Sequence, residues 1–516
     1  METILPRRRL MRIAAGAGAA LALSAPAARA AAKALEPEPM SPIQRPAGSL
    51  QRREGIPVLS LGHFDLSEQG YVAEEYFIEG DAAIFEPDGA LGVDGQWTVR
   101  AGATKPYRVR LVVVRPADRA RFSGTAVVEW INVSAGGDAA PGWIIMHREA
   151  MKAGHAWVAV SAQKVGIDGG NGLNLGVAPL KQASPERYAS LDHPGDSYAF
   201  DIFAQAGQAV RRNAATLFGG AQLKRAIAFG ASQSAWFLTS YLNAVAPLDA
   251  AFDGYFLQAR FSGAAPLRDP NIFGDLVLAG TRFRGDLPYP IFVVESETDI
   301  VGEGISQGGY AVARQPAADR LRVWEIAGAA HADLSVFAVA NADTDNLPMA
   351  KRTRLWKPSR NLFGAMIDVP VNSAPQQYYM MNTALRAMAS WVAGSKPPAQ
   401  GAPIRTISST AGPLIARDAR GGALGGIRSP WTDAPVMIHS GAPKLTQPIG
   451  RLVGSSRPLS TEELTGLYPQ GETEYLAAFE TSLDEAIASG FLTPEHRPEI
   501  MALGVAAWAW AQASDL

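Results

Sequence analysis

Arg225-Ala226-Ile227-Ala228-Phe229-Gly230-Ala231-Ser232-Gln233-Ser234 is an apolar run that ends in the pattern G-x-S-x-S and passes directly into the helical period of QSAWFLTSYLNAVA. A serine on a tight strand-to-helix turn needs small residues two places to either side, because the chain doubles back against itself there. Gly230 and Ser234 meet that need, although the commoner residue at the second place is Gly. Ser232 is therefore a candidate nucleophile. A hydroxyl is a poor nucleophile at neutral pH and needs a general base, itself oriented by a carboxylate.

Both partners are expected downstream, acid first and His second, each just past a buried strand. YPIFVVESETDIVG reads as such a strand followed by a turn bearing Glu295, Glu297 and Asp299. The acid normally lies a few residues beyond the strand, which favours Asp299; Glu297 is the fallback, and Glu295 belongs to the strand end. RLRVWEIAGAAHAD is a second strand followed by a small-residue loop that carries His331. Of the seven histidines, His331 alone has this placement. His147 and His155 read as packing or surface groups, His193 in DHPGDS as a pocket residue, and His63, His439 and His496 have no supporting context.

Acyl chemistry also needs donors for a tetrahedral oxyanion. One is expected to be the backbone N–H of Gln233, next to the nucleophile. The other is expected from the Gly-rich loop after GTAVVEWINV, where Asn132, Val133 and Ser134 stand; Val133, just past the strand end, is the first choice. Trp143, Trp236 and Phe237 are further candidates for an apolar pocket wall, though residues of this kind are more often simply core.

Around these motifs, apolar strands alternate with amphipathic helices: TAVVEW, WIIMHREAMKAG, HAWVAVS, SYAFDIFAQAGQAVRR, RAIAFG and so on. Strands apolar on both faces and separated by helices imply a mainly parallel sheet covered on both sides, the α/β class. GYVAEEYFIEG and PYRVRLVVVRPA, before this core, predict N-terminal antiparallel strands. After about residue 400 the chain becomes rich in Gly, Pro and Ser before helical patterns return, which predicts a C-terminal extension packed on the core.

The first thirty residues differ from the rest. Arg7-Arg8-Arg9-Leu10-Met11-Arg12, a weakly apolar run and Ala28-Arg29-Ala30 read as a twin-arginine export signal, so the protein is expected in the periplasm or secreted. The expected organisation is a signal peptide at 1–30, a linker at 31–56, the core at 57–400 and the extension at 401–516.

Composition narrows the chemistry. Acidic and basic residues number 49 and 47, so no strong field exists to recruit nucleic acid or an anionic membrane. The chain has no cysteine, which removes disulfides, thiolate nucleophiles and Cys-based metal sites. No metal or cofactor and no membrane span are expected. Asn341, Asp343 and Asp345 imitate the start of a calcium loop but lack its Gly and final Glu. GGALGG lacks the flanking strand and helix of a dinucleotide site, and Asn132-Val133-Ser134 matches a glycosylation acceptor by chance.

TAVVEWINVSAGGDAAPGW, ERYASLDHPGDSYAFDIFAQAGQAVR, GASQSAWFLTSYLNAV, PQQYYMMNTALRAMASWV and GGIRSPWTDAPVMIHSG together resemble a bacterial family of exported serine hydrolases, the alpha/beta hydrolase domain proteins. The resemblance runs from about Tyr71 to Gly441 and beyond. It implies an α/β-hydrolase fold and an esterase-like activity, with Ser232, Asp299 and His331 in matching places, but no particular substrate. The expected partner is a small-molecule ester. Acyl transfer by the same triad, and a binding protein that keeps only the scaffold, are the alternatives.

Overall fold

The computed structural model describes residues 49–513 apart from 171, 174–175, 275–277, 303–307, 363–364, 411 and 444–447; the expected signal peptide lies outside the described residues. Two long strands open the chain's main sheet: β2 (Tyr71–Pro87) and β3 (Val99–Pro116) pair antiparallel from Tyr71↔Pro116 to Pro87↔Val99. An edge strand, β1 (Ser49–Arg53), is added to β2. Residues 49–53 were expected to be part of a linker. They instead pair with β2 through their backbone, while Arg52 reaches Glu74 at 2.8 Å and the Ser49 hydroxyl reaches Glu79 at 2.6 Å. A charged edge strand carries no apolar period to announce it.

The remaining strands are β4 (Thr125–Trp130), β5 (Ala156–Val160), β6 (Arg225–Ala231), β7 (Gly254–Gln258), β8 (Ile291–Ser296) and β9 (Leu321–Ile326). The sheet order is β1-β2-β3-β5-β4-β6-β7-β8-β9, antiparallel up to the β3–β5 pair and parallel from β5 onward. This is the α/β-hydrolase arrangement. β4 and β5 change places in the order, and the loops after β4, β6, β8 and β9 all leave carboxyl ends of the parallel strands, where such sheets bind ligands.

Both faces of the sheet are covered, as the apolar strands require. On one face an aromatic row crosses the strands: Trp157, Phe229, Phe256, Phe292 and Trp324 touch in succession at centroid distances of 4.9 to 5.9 Å. Helix α1 (Pro141–Ala153) adds Trp143 to that row at 6.0 Å from Trp157. On the other face Trp130 packs with Phe200 and Phe203 of α2 (Ala199–Arg212) and with Phe237 of α3 (Gln233–Ala244). Each such pair adds about 1 kcal/mol beyond its burial.

Helix α1 begins where it does because Glu129, at the end of β4, accepts from the N–H groups of Gly142 and Trp143 and from the indole of Trp157. Beyond β8 come α4 (Glu297–Val301) and α5 (Gln376–Val392). The extension ends in α6 (Glu472–Ala488) and α7 (Arg497–Ala511), and it is continuous with the core. Ile427 bridges to the free edge of β9, donating to Glu325 O at 2.7 Å. Glu499 of α7 meets Arg148 of α1 at 2.7 Å and Arg352 at 3.0 Å, and both arginines also reach Asp343. Among the described residues no helix is long and apolar enough to cross a membrane.

Candidate active site

Ser232 sits between β6 and α3 with φ 59° and ψ −120°. A residue with a side chain seldom adopts this region, and holding it there costs on the order of 1 kcal/mol or more. The turn closes only because Gly230 has no side chain: a Cβ there would lie 2.8 Å from Ser234 O and 3.1 Å from Ala235 N. Ser232 N donates to Gln258 O on β7 at 2.9 Å, and its carbonyl accepts the first turn of α3 from Trp236 N. The hydroxyl is thereby aimed over the carboxyl edge of the sheet.

His331 follows β9 in the loop Gly328-Ala329-Ala330-His331. Its Nε2 lies 3.0 Å from Ser232 Oγ, and its Nδ1 lies 2.6 Å from Asp299 Oδ1. The imidazole is 12% exposed and the Asp299 side chain 2%, so the chain of contacts runs from a wet end to a dry one. The second oxygen of Asp299 accepts from Ser296 N at 2.9 Å and from the Ser296 hydroxyl at 2.6 Å. Ser296 also caps α4, closing a reciprocal box with Asp299. These donors fix the orientation of the carboxylate.

The other two acids of this turn are placed differently. Glu297 is fully buried and holds Gly328 N at 2.7 Å, Gly441 N at 3.1 Å and the Arg417 guanidinium at 3.0 Å, with no contact to the imidazole. Glu295 remains in β8, and burial first, then the neighbouring charge of Asp299, raises its carboxyl well above the usual range. Thr298 links the turn to the histidine loop: its hydroxyl receives His331 N at 3.1 Å and donates to Gly441 O at 2.5 Å.

The loop after β4 is strapped to the elbow by two amide side chains. Asn132 Nδ2 donates to Ala231 O at 3.1 Å. Gln233 Oε1 accepts from Val133 N and from the Ser134 hydroxyl, both at 3.3 Å. The expected second oxyanion donor, Val133 N–H, thus stands beside the elbow and donates to the side chain of Gln233. Gln233, at the first position of α3, carries the other expected donor on its backbone.

A cavity of about 850 Å³ opens over this edge and is lined by Ser232 and His331 together with Asn132, Ser134, Ile144, Leu180, Phe261 and Val336, among others. Of the two readings of Trp143, Trp236 and Phe237, pocket wall or core, the structure has the second: Trp143 packs on Trp157, and Phe237 on Trp130. His193 is buried at hydrogen-bond distance from Ala162 O, away from the cavity. Among the described residues no group of three or more His, Asp or Glu is arranged to hold a metal ion.

Residues 38–502 match the family described as alpha/beta hydrolase domain. The chain belongs to that family. A comparison of this alpha/beta hydrolase with curated proteins returns no match. Similar solved structures include XC6422 from Xanthomonas campestris, described as a serine hydrolase without lid, at 13% identity, with 48% of this chain and 83% of that chain covered and a TM-score of 0.25. A glucuronoyl esterase from Solibacter usitatus is 12% identical over 55% of this chain and 82% of that one, with a TM-score of 0.28. A cold-adapted esterase from an Arctic intertidal metagenomic library is 12% identical over 49% and 84%, with a TM-score of 0.27.

Three residues that shape this alpha/beta hydrolase site escape the sequence reading: Ser296, Thr298 and Gly441. Ser296 does leave a signal, since Ser296-Glu297-Thr298-Asp299 has the S-x-x-D spacing of a helix cap. Gly441 arrives from the extension and leaves none.

Proposed function

We propose that this protein hydrolyses carboxylic esters through an acyl-enzyme. In this reading Ser232 Oγ attacks the ester carbonyl while His331 Nε2 takes its proton, and Asp299 holds the imidazole in the tautomer that leaves Nε2 free to accept. The N–H groups of Gln233 and Val133 take the oxyanion; being charged, it is a stronger acceptor than the amide oxygen of Gln233 and displaces it from Val133. His331 then returns the proton to the leaving alcohol, and water attacks the acyl-enzyme by the same route in reverse. The chemistry needs no metal or cofactor.

One observation carries the reading: two hydrogen bonds in series, 3.0 and 2.6 Å, join a serine held at φ 59° to a histidine and a buried aspartate beside one cavity. Labelling by a fluorophosphonate, together with turnover of p-nitrophenyl butanoate, tests it. Both are expected in the wild type and absent in Ser232→Ala; a labelled Ser232→Ala protein would remove Ser232 from the mechanism. The Arg7-Arg8 leader further supports export, tested by cell fractionation and N-terminal sequencing of the mature chain.

A further inference from the structure

The cavity over Ser232, at about 850 Å³, lies near the upper end of the range for small-molecule sites. An acetyl group would fill a small part of it. Its wall comes from chain segments far apart in sequence, with Ile144 from α1, Leu173, Leu180, Phe261, Phe273, and Val336 from the turn just past His331.

Charge is almost absent from this wall. Among the described residues that line it, none is Lys or Arg, and Asp138 is the one carboxylate. That carboxylate is already matched: its Oδ2 receives Arg110 Nη2 at 2.7 Å and the Ser161 hydroxyl at 2.5 Å, with the Arg110 side chain wholly buried. Its Oδ1 has no hydrogen-bond partner among the described residues but is itself buried, turned against Gly166, where a Cβ would lie 1.8 Å away, and so is closed to the cavity. Asp138 therefore offers no free charge to a substrate cation, and no cation on the wall awaits a substrate anion. Burying an unmatched charge costs far more than the binding of a short chain returns, whereas each methylene laid against such a wall favours binding roughly fourfold.

Resting on the esterase reading, we infer that the substrates are uncharged esters with one large apolar group, and that esters of the same length ending in a carboxylate or an ammonium are excluded. The test uses the purified full chain with p-nitrophenyl acetate, butanoate and octanoate, the p-nitrophenyl monoester of octanedioic acid, and p-nitrophenyl 8-aminooctanoate. The expected kcat/KM rises from acetate to octanoate by roughly fourfold per methylene, with both charged esters at least thirtyfold below octanoate. A profile that is flat or falls with length, or a charged ester closer to octanoate than thirtyfold, overturns the inference.

Half-buried Val336 supplies a second readout. In Val336→Lys the ratio of the carboxylate-ended ester to octanoate is expected to rise at least tenfold. Because the ratio is taken within one protein, partial loss of folded enzyme cancels; an unchanged ratio counts against the inference. Fluorophosphonate labelling separates the two levels. A chain that labels at Ser232 yet shows the wrong ester profile refutes the substrate class alone, while one that neither labels nor hydrolyses any ester refutes the esterase reading.

Discussion

His331 and Asp299 are joined at 2.6 Å through Nδ1 and Oδ1, while the other oxygen of the same carboxylate is held by Ser296. One oxygen thus faces the imidazole and the other anchors the turn. Glu297, two residues earlier, spends both of its oxygens on Gly328, Gly441 and Arg417.

This division predicts opposite behaviour of two amide substitutions. Asp299→Asn keeps the shape but presents an N–H or a misoriented oxygen to His331, and kcat on p-nitrophenyl butanoate should fall on the order of 10⁴-fold with a nearly unchanged melting temperature. Glu297→Gln should cost stability, about 2 kcal/mol by denaturant titration, with kcat of the folded protein reduced less than tenfold. Equal losses of kcat in the two variants would return Glu297 to contention as the orienting acid.

Gln233 predicts a more graded effect. Its side-chain oxygen gathers Val133 N and the Ser134 hydroxyl, so it holds the loop after β4 against the elbow through two bonds of 3.3 Å. Gln233→Ala keeps the backbone N–H and removes only this strap. We expect kcat to fall about tenfold, less than the 10² to 10³ seen when an oxyanion donor itself is deleted, with fluorophosphonate labelling slowed in proportion. An increase in kcat would mean that the side chain obstructs the donor.

The sequence exposed what local chemistry encodes. Gly230, Ser232 and Ser234 mark a turn by size, and His331 and Asp299 follow apolar strands in the required order, so five residues suffice to point to the candidate site where Ser232, His331 and Asp299 lie together. Where two segments meet by tertiary approach alone, nothing local announces it. Ser49–Arg53 join the sheet through backbone pairing with a charged surface, and Gly441 reaches Thr298 from 143 positions away. Trp236 and Phe237 show a third limit: in a helix buried on every side, as α3 is, the sequence does not reveal which residues face the cavity and which the sheet.

Gly441 makes the integration of the extension testable. A Cβ there would lie 2.0 Å from Ala329 O, 2.8 Å from Glu297 Cβ and 2.9 Å from Thr298 N. These neighbours are backbone and a buried side chain, so they yield only by moving the turn that carries Asp299 and the loop that carries His331. Gly441→Ala is expected to cost about 1 to 3 kcal/mol and to lower kcat in the fraction that remains folded. A variant with wild-type kcat and melting temperature would show that residues around 441 do not support the site.

Buried titratable groups set opposing pH trends in stability. Burial pushes the Glu129 carboxyl from 4.5 up to about 7, outweighing the three donors that surround it, and likewise raises Asp333 from 3.8 to about 7. Between the unfolded and folded values the folded state binds more protons than the unfolded chain, so these two groups make stability fall as pH rises from about 4 to about 7. Burial drives His155, His439 and His496 the other way, from 6.5 to about 4. In that window the unfolded chain binds more protons, and these groups make stability rise with pH until about 6.5. Melting temperatures of wild type and Glu129→Gln, compared from pH 4.5 to 8, isolate one contribution. The variant lacks the titration, so the wild type's advantage is expected to be largest near pH 4.5, to shrink until about pH 7 and then to level off. A difference independent of pH would mean that Glu129 is ionised throughout, its charge held by Gly142, Trp143 and Trp157 at the start of α1.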